Sequence, residues 1–236
     1  MDSSTVLCIY CQAREADTED HVPPKLWVPA ALRNDILRVP CCDPCNKGFQ
    51  LDDEYIRGKF MLRPEVGSHP ASRPVLDSFL RGMSRPEAQG LKTRLVNEVR
   101  SVDNVTDAGL YTGRVTLPTV DPTRLHRVVE RLVRALYYHE TAVPLPAAAL
   151  VTVDVAFERN AAQQETARRY LTGQPSNGLC GETLRYVWRP ARENVQGSMW
   201  VIVLYDAVPF FAMTVGPEEA DDVRLSAAVR RTLLPL

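Results

Sequence analysis

The chain has 236 residues, 45% of them apolar and 24% charged, with a formal net charge of −1. That length suits one large or two modest domains with a buried core, and no apolar run approaches the roughly 18 consecutive residues of a membrane span. The stretch MDSSTVLCIYCQAREADTED lacks a basic start followed by an apolar segment, so no secretory signal is expected and a cytoplasmic protein is predicted.

Five of the six cysteines, Cys8, Cys11, Cys41, Cys42 and Cys45, fall in the first fifth of the chain. In a reducing compartment such clustering points to metal ligation rather than disulfides. Cys8-x2-Cys11 and Cys42-x2-Cys45 form two knuckles thirty residues apart, the pattern by which four thiolates hold one tetrahedral Zn²⁺. Cys41 competes with Cys42 for the third position, and the matching x2 spacing favours Cys42. Two short extended stretches and a helix starting near Cys45 and running through GFQLDDEYIRGKFM make a ββα unit. In that helix Asp52, Asp53 and Glu54 are expected on a solvated face, with Phe49 and Tyr55 packing it on the hairpin.

Pro64, Gly67, Pro70 and Pro74 then interrupt regular structure and set a boundary between a zinc module at 1–62 and a second part at 75–236. VLDSFLRGM and the stretch from Pro86 to Val99 read as helices, and GLYTGRVTL as a strand or hairpin. From Pro122 to about Thr141, apolar residues recur at spacings of three and four behind an Asp121 cap, which predicts a long amphipathic helix. ALVTVDVAF, TLRYVWRP, MWVIVLYD and PFFAMTV are rich in β-branched and aromatic residues and predict an antiparallel sheet, with AAQQETARRYL a helix between strands. The expected fold class is α+β: a zinc-bound ββα module followed by a mixed helix and antiparallel-sheet domain.

Glu19-Asp20-His21-Val22-Pro23-Pro24 lies inside the zinc loop, and Asn46-Lys47 follows the last thiol directly. C-x2-C, D-H-V-x-P and C-x2-C-N together resemble the HNH endonucleases, in the zinc-stabilised branch whose last His is replaced by Asn. The resemblance covers residues 8–57 and implies a ββα-metal nuclease that hydrolyses phosphodiester bonds. It makes His21 the general base, and Asp20 and Asn46 the ligands of a catalytic Mg²⁺ or Mn²⁺ beside the structural Zn²⁺. Asn34 and Asp35 are the candidates for the family's middle Asn. An imidazole near its ordinary pKa of about 6.5 suits a base at neutral pH.

The implied partner is nucleic acid, DNA in preference to RNA, although the alternative of a non-catalytic nucleic-acid-binding or interaction module of the same fold stands beside it. Residues 1–60 carry 7 basic and 10 acidic side chains, whereas 61–100 carry 7 and 4. Phosphate contacts are therefore expected from Lys25 and Lys47 near the motif and from Arg81 and Arg85 in the basic segment. Arg124, Arg127, Arg131 and Arg134 form a further stripe, expected to be mainly a solvated face. A homodimer is compatible with all of this.

Overall fold

The computed structural model of the chain describes residues 6–67, 69–106, 108–155, 176–191 and 196–220. Strand β1 (Thr18–Val22) pairs antiparallel with β2 (Leu37–Cys41), Asp20 facing Val39 and His21 facing Arg38. Helix α1 (Asp43–Met61) follows at once. It starts two residues earlier than its sequence suggests, because Pro44 sits in the first turn, where its missing N–H costs nothing. A short turn of helix, α2 (Pro64–Gly67), and helix α3 (Ser72–Met83) then occupy most of the proline-rich stretch, so the break in regular structure is narrower than expected.

A 3-10 turn at Pro86–Ala88 leads into α4 (Gln89–Asn97), and β3 (Val99–Val105) forms a hairpin with β4 (Tyr111–Pro118). The long helix α5 spans Pro122–Thr141 as its periodicity predicts. Asp121 caps it, accepting hydrogen bonds from the backbone N–H groups of Thr123 and Arg124. Strands β5 (Leu150–Val155), β6 (Asn177–Leu179), β7 (Leu184–Pro190), β8 (Ser198–Leu204) and β9 (Val208–Val215) form one antiparallel sheet in the order β5-β9-β8-β7-β6. The helix expected at AAQQETARRYL lies outside the described residues. Among the described residues no helix is long and apolar enough to cross a membrane.

Helix α5 is the hinge of the architecture in the geometrical sense. One side meets β5 and β9 of the sheet, and the other meets α1 and the β1–β2 hairpin. Leu125, Val129, Leu132, Val133 and Leu136 are fully or almost fully buried along it, each worth about 1.5–3 kcal/mol relative to exposure. One apolar cluster runs from Ile9, Val22 and Trp27 through Tyr55, Ile56 and Phe60 of α1 and the inner face of α5 to Trp200, Ile202 and Phe210 of the sheet. The cysteine-bearing N-terminal unit and the remainder therefore share a core. Trp27 ties them again, donating from Nε1 to the carbonyl of Asp53 at 2.9 Å and accepting at its own carbonyl from the Tyr205 hydroxyl.

Candidate metal centre and the Asp20–His21 strand

The first knuckle is a tight loop. Cys8 N–H bonds to Arg14 O, Gln12 N–H returns to Cys8 O, and Gln12 adopts a left-handed φ of 53° to turn the chain. The backbone N–H of Ile9 bonds to Pro40 O at 3.1 Å and so lays this loop against β2. The second knuckle is the start of α1, with Cys42 at the cap position and Cys45 in the first turn. The Sγ atoms of Cys8, Cys11, Cys42 and Cys45 all lie within 4.8 Å of one another, with Cys11 and Cys42 3.8 Å apart. Such a cluster can hold a metal such as zinc.

In the first knuckle, backbone N–H groups favour a thiolate. The Cys11 thiol is drawn down to about 6, chiefly by the backbone N–H of Ala13. Cys45 is pushed upward, first by burial and then by Cys42. Cys41 stands outside the four. It is buried, its Sγ is turned to the carbonyl of Cys42, and burial with the nearby Asp20 charge raises its pKa.

Along β1 the alternation of a strand sends Thr18, Asp20 and Val22 to the buried side and Glu19 and His21 to the outer side. His21 is half-buried, and its ring nitrogens meet no hydrogen-bond partner among the described residues. Its pKa is lowered, first by burial and then by Lys25, with Arg38 adding to the effect. Arg38 is its direct cross-strand neighbour, and facing residues of an antiparallel pair point to the same side. The imidazole is thus flanked by two cationic side chains, of which Arg38 went unnoticed in the sequence; only the strand register reveals it. Arg38 also reaches Glu19 at 3.4 Å in an exposed pair.

Asp20 is 5% exposed and fully engaged. Its Oδ1 accepts the backbone N–H of His21 at 2.8 Å, and its Oδ2 accepts the Tyr10 hydroxyl at 2.5 Å. Arg131 of α5, 2% exposed, approaches the same Oδ2 with Nε at 3.4 Å and donates from Nη1 to Asp53 Oδ2 at 2.9 Å. The guanidinium also lies over the Phe49 ring, 4.5 Å from its centroid. Burial opposes the Arg131 charge, but Asp53 and Asp20 together outweigh it and keep the group protonated. Asn46 lies in the first turn of α1 and donates from Nδ2 to Thr18 Oγ1 and Glu19 O at 3.3 and 3.2 Å, two residues and one residue before Asp20.

Two expectations are corrected here. Asp52 and Asp53, expected on a solvated face, are 8% and 7% exposed. Part of the arginine stripe, also expected in solvent, is turned inward: Arg131 is buried on Asp53, and Arg134 is buried against the carbonyls of Pro146 and Ala149, whereas Arg127 stays exposed as expected while its Nε donates to Asp52 Oδ2 at 2.7 Å. The Tyr55 ring is buried in the core cluster that also holds Val22 and Val39 of the hairpin, and its hydroxyl donates to Glu98 and accepts from Asp121 N–H. Phe49 meets Tyr10 edge-on at 5.0 Å.

The remaining basic candidates are scattered. Lys25 is exposed in the 3-10 turn after β1, while Lys47 is exposed and pairs with Asp43 at 2.8 Å. Arg81 and Arg85 are exposed on α3 and the turn after it, and no contact among the described residues ties their side chains to the hairpin. Asn34 and Asp35 are exposed in a 3-10 segment between the strands.

The residues do not fit a divalent cation at Asp20 as they stand. Mg²⁺ demands near-octahedral oxygen ligation and keeps several waters, whereas both Asp20 oxygens are taken and a guanidinium fills the adjoining space. No protein-family model, curated protein or solved structure matches this chain.

Proposed function

We propose that this chain is a zinc-stabilised nuclease of the HNH kind, with His21 as the general base acting at a phosphodiester of DNA. The observation that carries the proposal is His21 itself: a half-buried imidazole, lowered in pKa by burial and Lys25, at an outward position of a hairpin held between four clustered cysteines. Zn²⁺ on Cys8, Cys11, Cys42 and Cys45 would substitute for a hydrophobic core at the base of the hairpin.

His21 takes a proton from the attacking water. Asp20 fixes the strand by accepting the His21 backbone N–H, so that the imidazole presents to solvent in one orientation. Arg38 and Lys25 are the cations beside it that can hold the phosphate and counter the charge growing on it. A nicking assay on supercoiled plasmid with zinc-loaded protein tests this reading. Wild type nicks, and His21→Ala loses activity by about 100-fold or more, the scale of a general base, while retaining its zinc. Equal nicking by the folded variant removes His21 from the role.

The engagement of Asp20 and Asn46 within the protein favours a second reading, a non-catalytic nucleic-acid-binding module on the same scaffold. It is distinguished by DNA retardation without nicking in either variant, under any added divalent ion. Parallel digestion of RNA separates the two substrates.

A further inference from the structure

Three charged side chains from three elements meet in the interior: Asp20 of β1, Asp53 of α1 and Arg131 of α5. Tyr10, from the loop that carries Cys8 and Cys11, closes the group with its hydroxyl on Asp20. Arg131 faces two carboxylates, so its one positive charge offsets part of theirs, and its removal would leave that negative charge uncompensated within the cluster. A guanidinium beside two carboxylates stays protonated, so Arg131 is a permanent cation. Its Nε and Nη2 and the Oδ1 of Asp53 have no hydrogen-bond partner among the described residues, and all are buried. The joint is held by charge and by the Phe49 ring more than by completed hydrogen bonds.

We infer that Arg131 is the resident cation of this module: it holds the position beside Asp20 that the HNH reading gives to a divalent metal, and helix α5 thereby withholds Asp20 from metal binding. This inference rests on the nuclease reading for its meaning, but not for its test. Asp20 acts through His21, as a positioning residue whose Oδ1 holds the backbone N–H and whose Oδ2 is anchored by Tyr10 and Arg131. For a metal ion to reach Asp20, the Tyr10 bond must break and Arg131 must leave, which would strand Asp53 as a buried, uncompensated carboxylate. Any change that draws α5 away from the hairpin would release Asp20 for a cation. The C-terminal part of the chain is in this way coupled to the strand that bears His21.

Mn²⁺ binding to the full-length, zinc-loaded chain, followed by electron paramagnetic resonance of free Mn²⁺, is the test. Wild type and Asp20→Asn are expected to bind Mn²⁺ alike, without an Asp20-dependent site. Arg131→Gln is expected to gain at least ten-fold in Mn²⁺ affinity, and Asp20→Asn in that background to abolish the gain. A wild-type Mn²⁺ site lost in Asp20→Asn overturns the inference, as does a folded Arg131→Gln chain with no new site. Should Arg131→Gln fail to fold, the comparison of wild type with Asp20→Asn still decides, because a metal site at Asp20 must differ between them. Plasmid nicking plays no part in these outcomes. A chain that never nicks but gains Mn²⁺ on Arg131→Gln refutes the nuclease and keeps the resident cation; one that nicks through His21 and binds Mn²⁺ at Asp20 does the reverse.

Discussion

His21 and Asp20 are adjacent in the chain and opposite in circumstance. One faces outward with ring nitrogens that meet no hydrogen-bond partner among the described residues, and the other is buried with both oxygens accepting hydrogen bonds. The consequence for His21 is a pH profile. A general base works in its neutral form, and burial, aided by Lys25, lowers its pKa. The acid limb of kcat/KM is therefore expected below the ordinary imidazole value of about 6.5, with a plateau through neutrality. Lys25→Ala removes a repelling cation and should move that limb to higher pH; a limb that moves the other way or stays put would detach Lys25 from His21. The two neighbouring cysteines divide as sharply. Cys42→Ser is expected to lose the bound metal and Cys41→Ser to keep it, measured as zinc per chain, because only the Cys42 sulfur lies in the cluster of four.

At the scale of elements, the joint between α1 and α5 shows where the sequence was legible. The apolar face of α5 and its Asp121 cap follow from local periodicity and end chemistry, and both appear as expected. The x2 spacing of the knuckles likewise places the thiols on one turn each, which is a local property. The charged faces of α1 and α5 gave no such guidance. Each, taken alone, looks like a solvated surface, and only their docking shows that Asp53 and Arg131, 78 residues apart, neutralise each other. Strand β3, VRSVDNV, was unreadable for a different reason: almost all of it is exposed, so no buried face imposes an alternating pattern. A buried ion cluster of this kind roughly balances its own desolvation.

Across the whole molecule, the cysteine cluster is stitched to parts far from it in sequence. Gln12, between the two knuckles, donates from Nε2 to Leu145 O at 2.6 Å and accepts from Ala147 N–H, in the loop that follows α5. Removal of the metal by a strong chelator is therefore expected to lower the melting temperature of the entire chain in one transition, followed by circular dichroism in the strand region. A sheet that melts unchanged while the hairpin is lost would show two independent units instead. The shared core makes the same demand, since Trp27, Tyr55 and Phe60 are buried in one cluster with α5 and the sheet.

That stitching limits how freely the module can be transplanted. A zinc hairpin that carried its own core could be cut out and grafted onto another protein as a portable cutting head. Here a graft taken from the first sixty residues would leave behind Arg131, the buried cation beside Asp20 and Asp53, and the carbonyl that anchors Gln12. It would also expose the apolar side of α1 to water. Such a graft would need α5 as well, and a recombination event that preserved function would be expected to carry the two segments together.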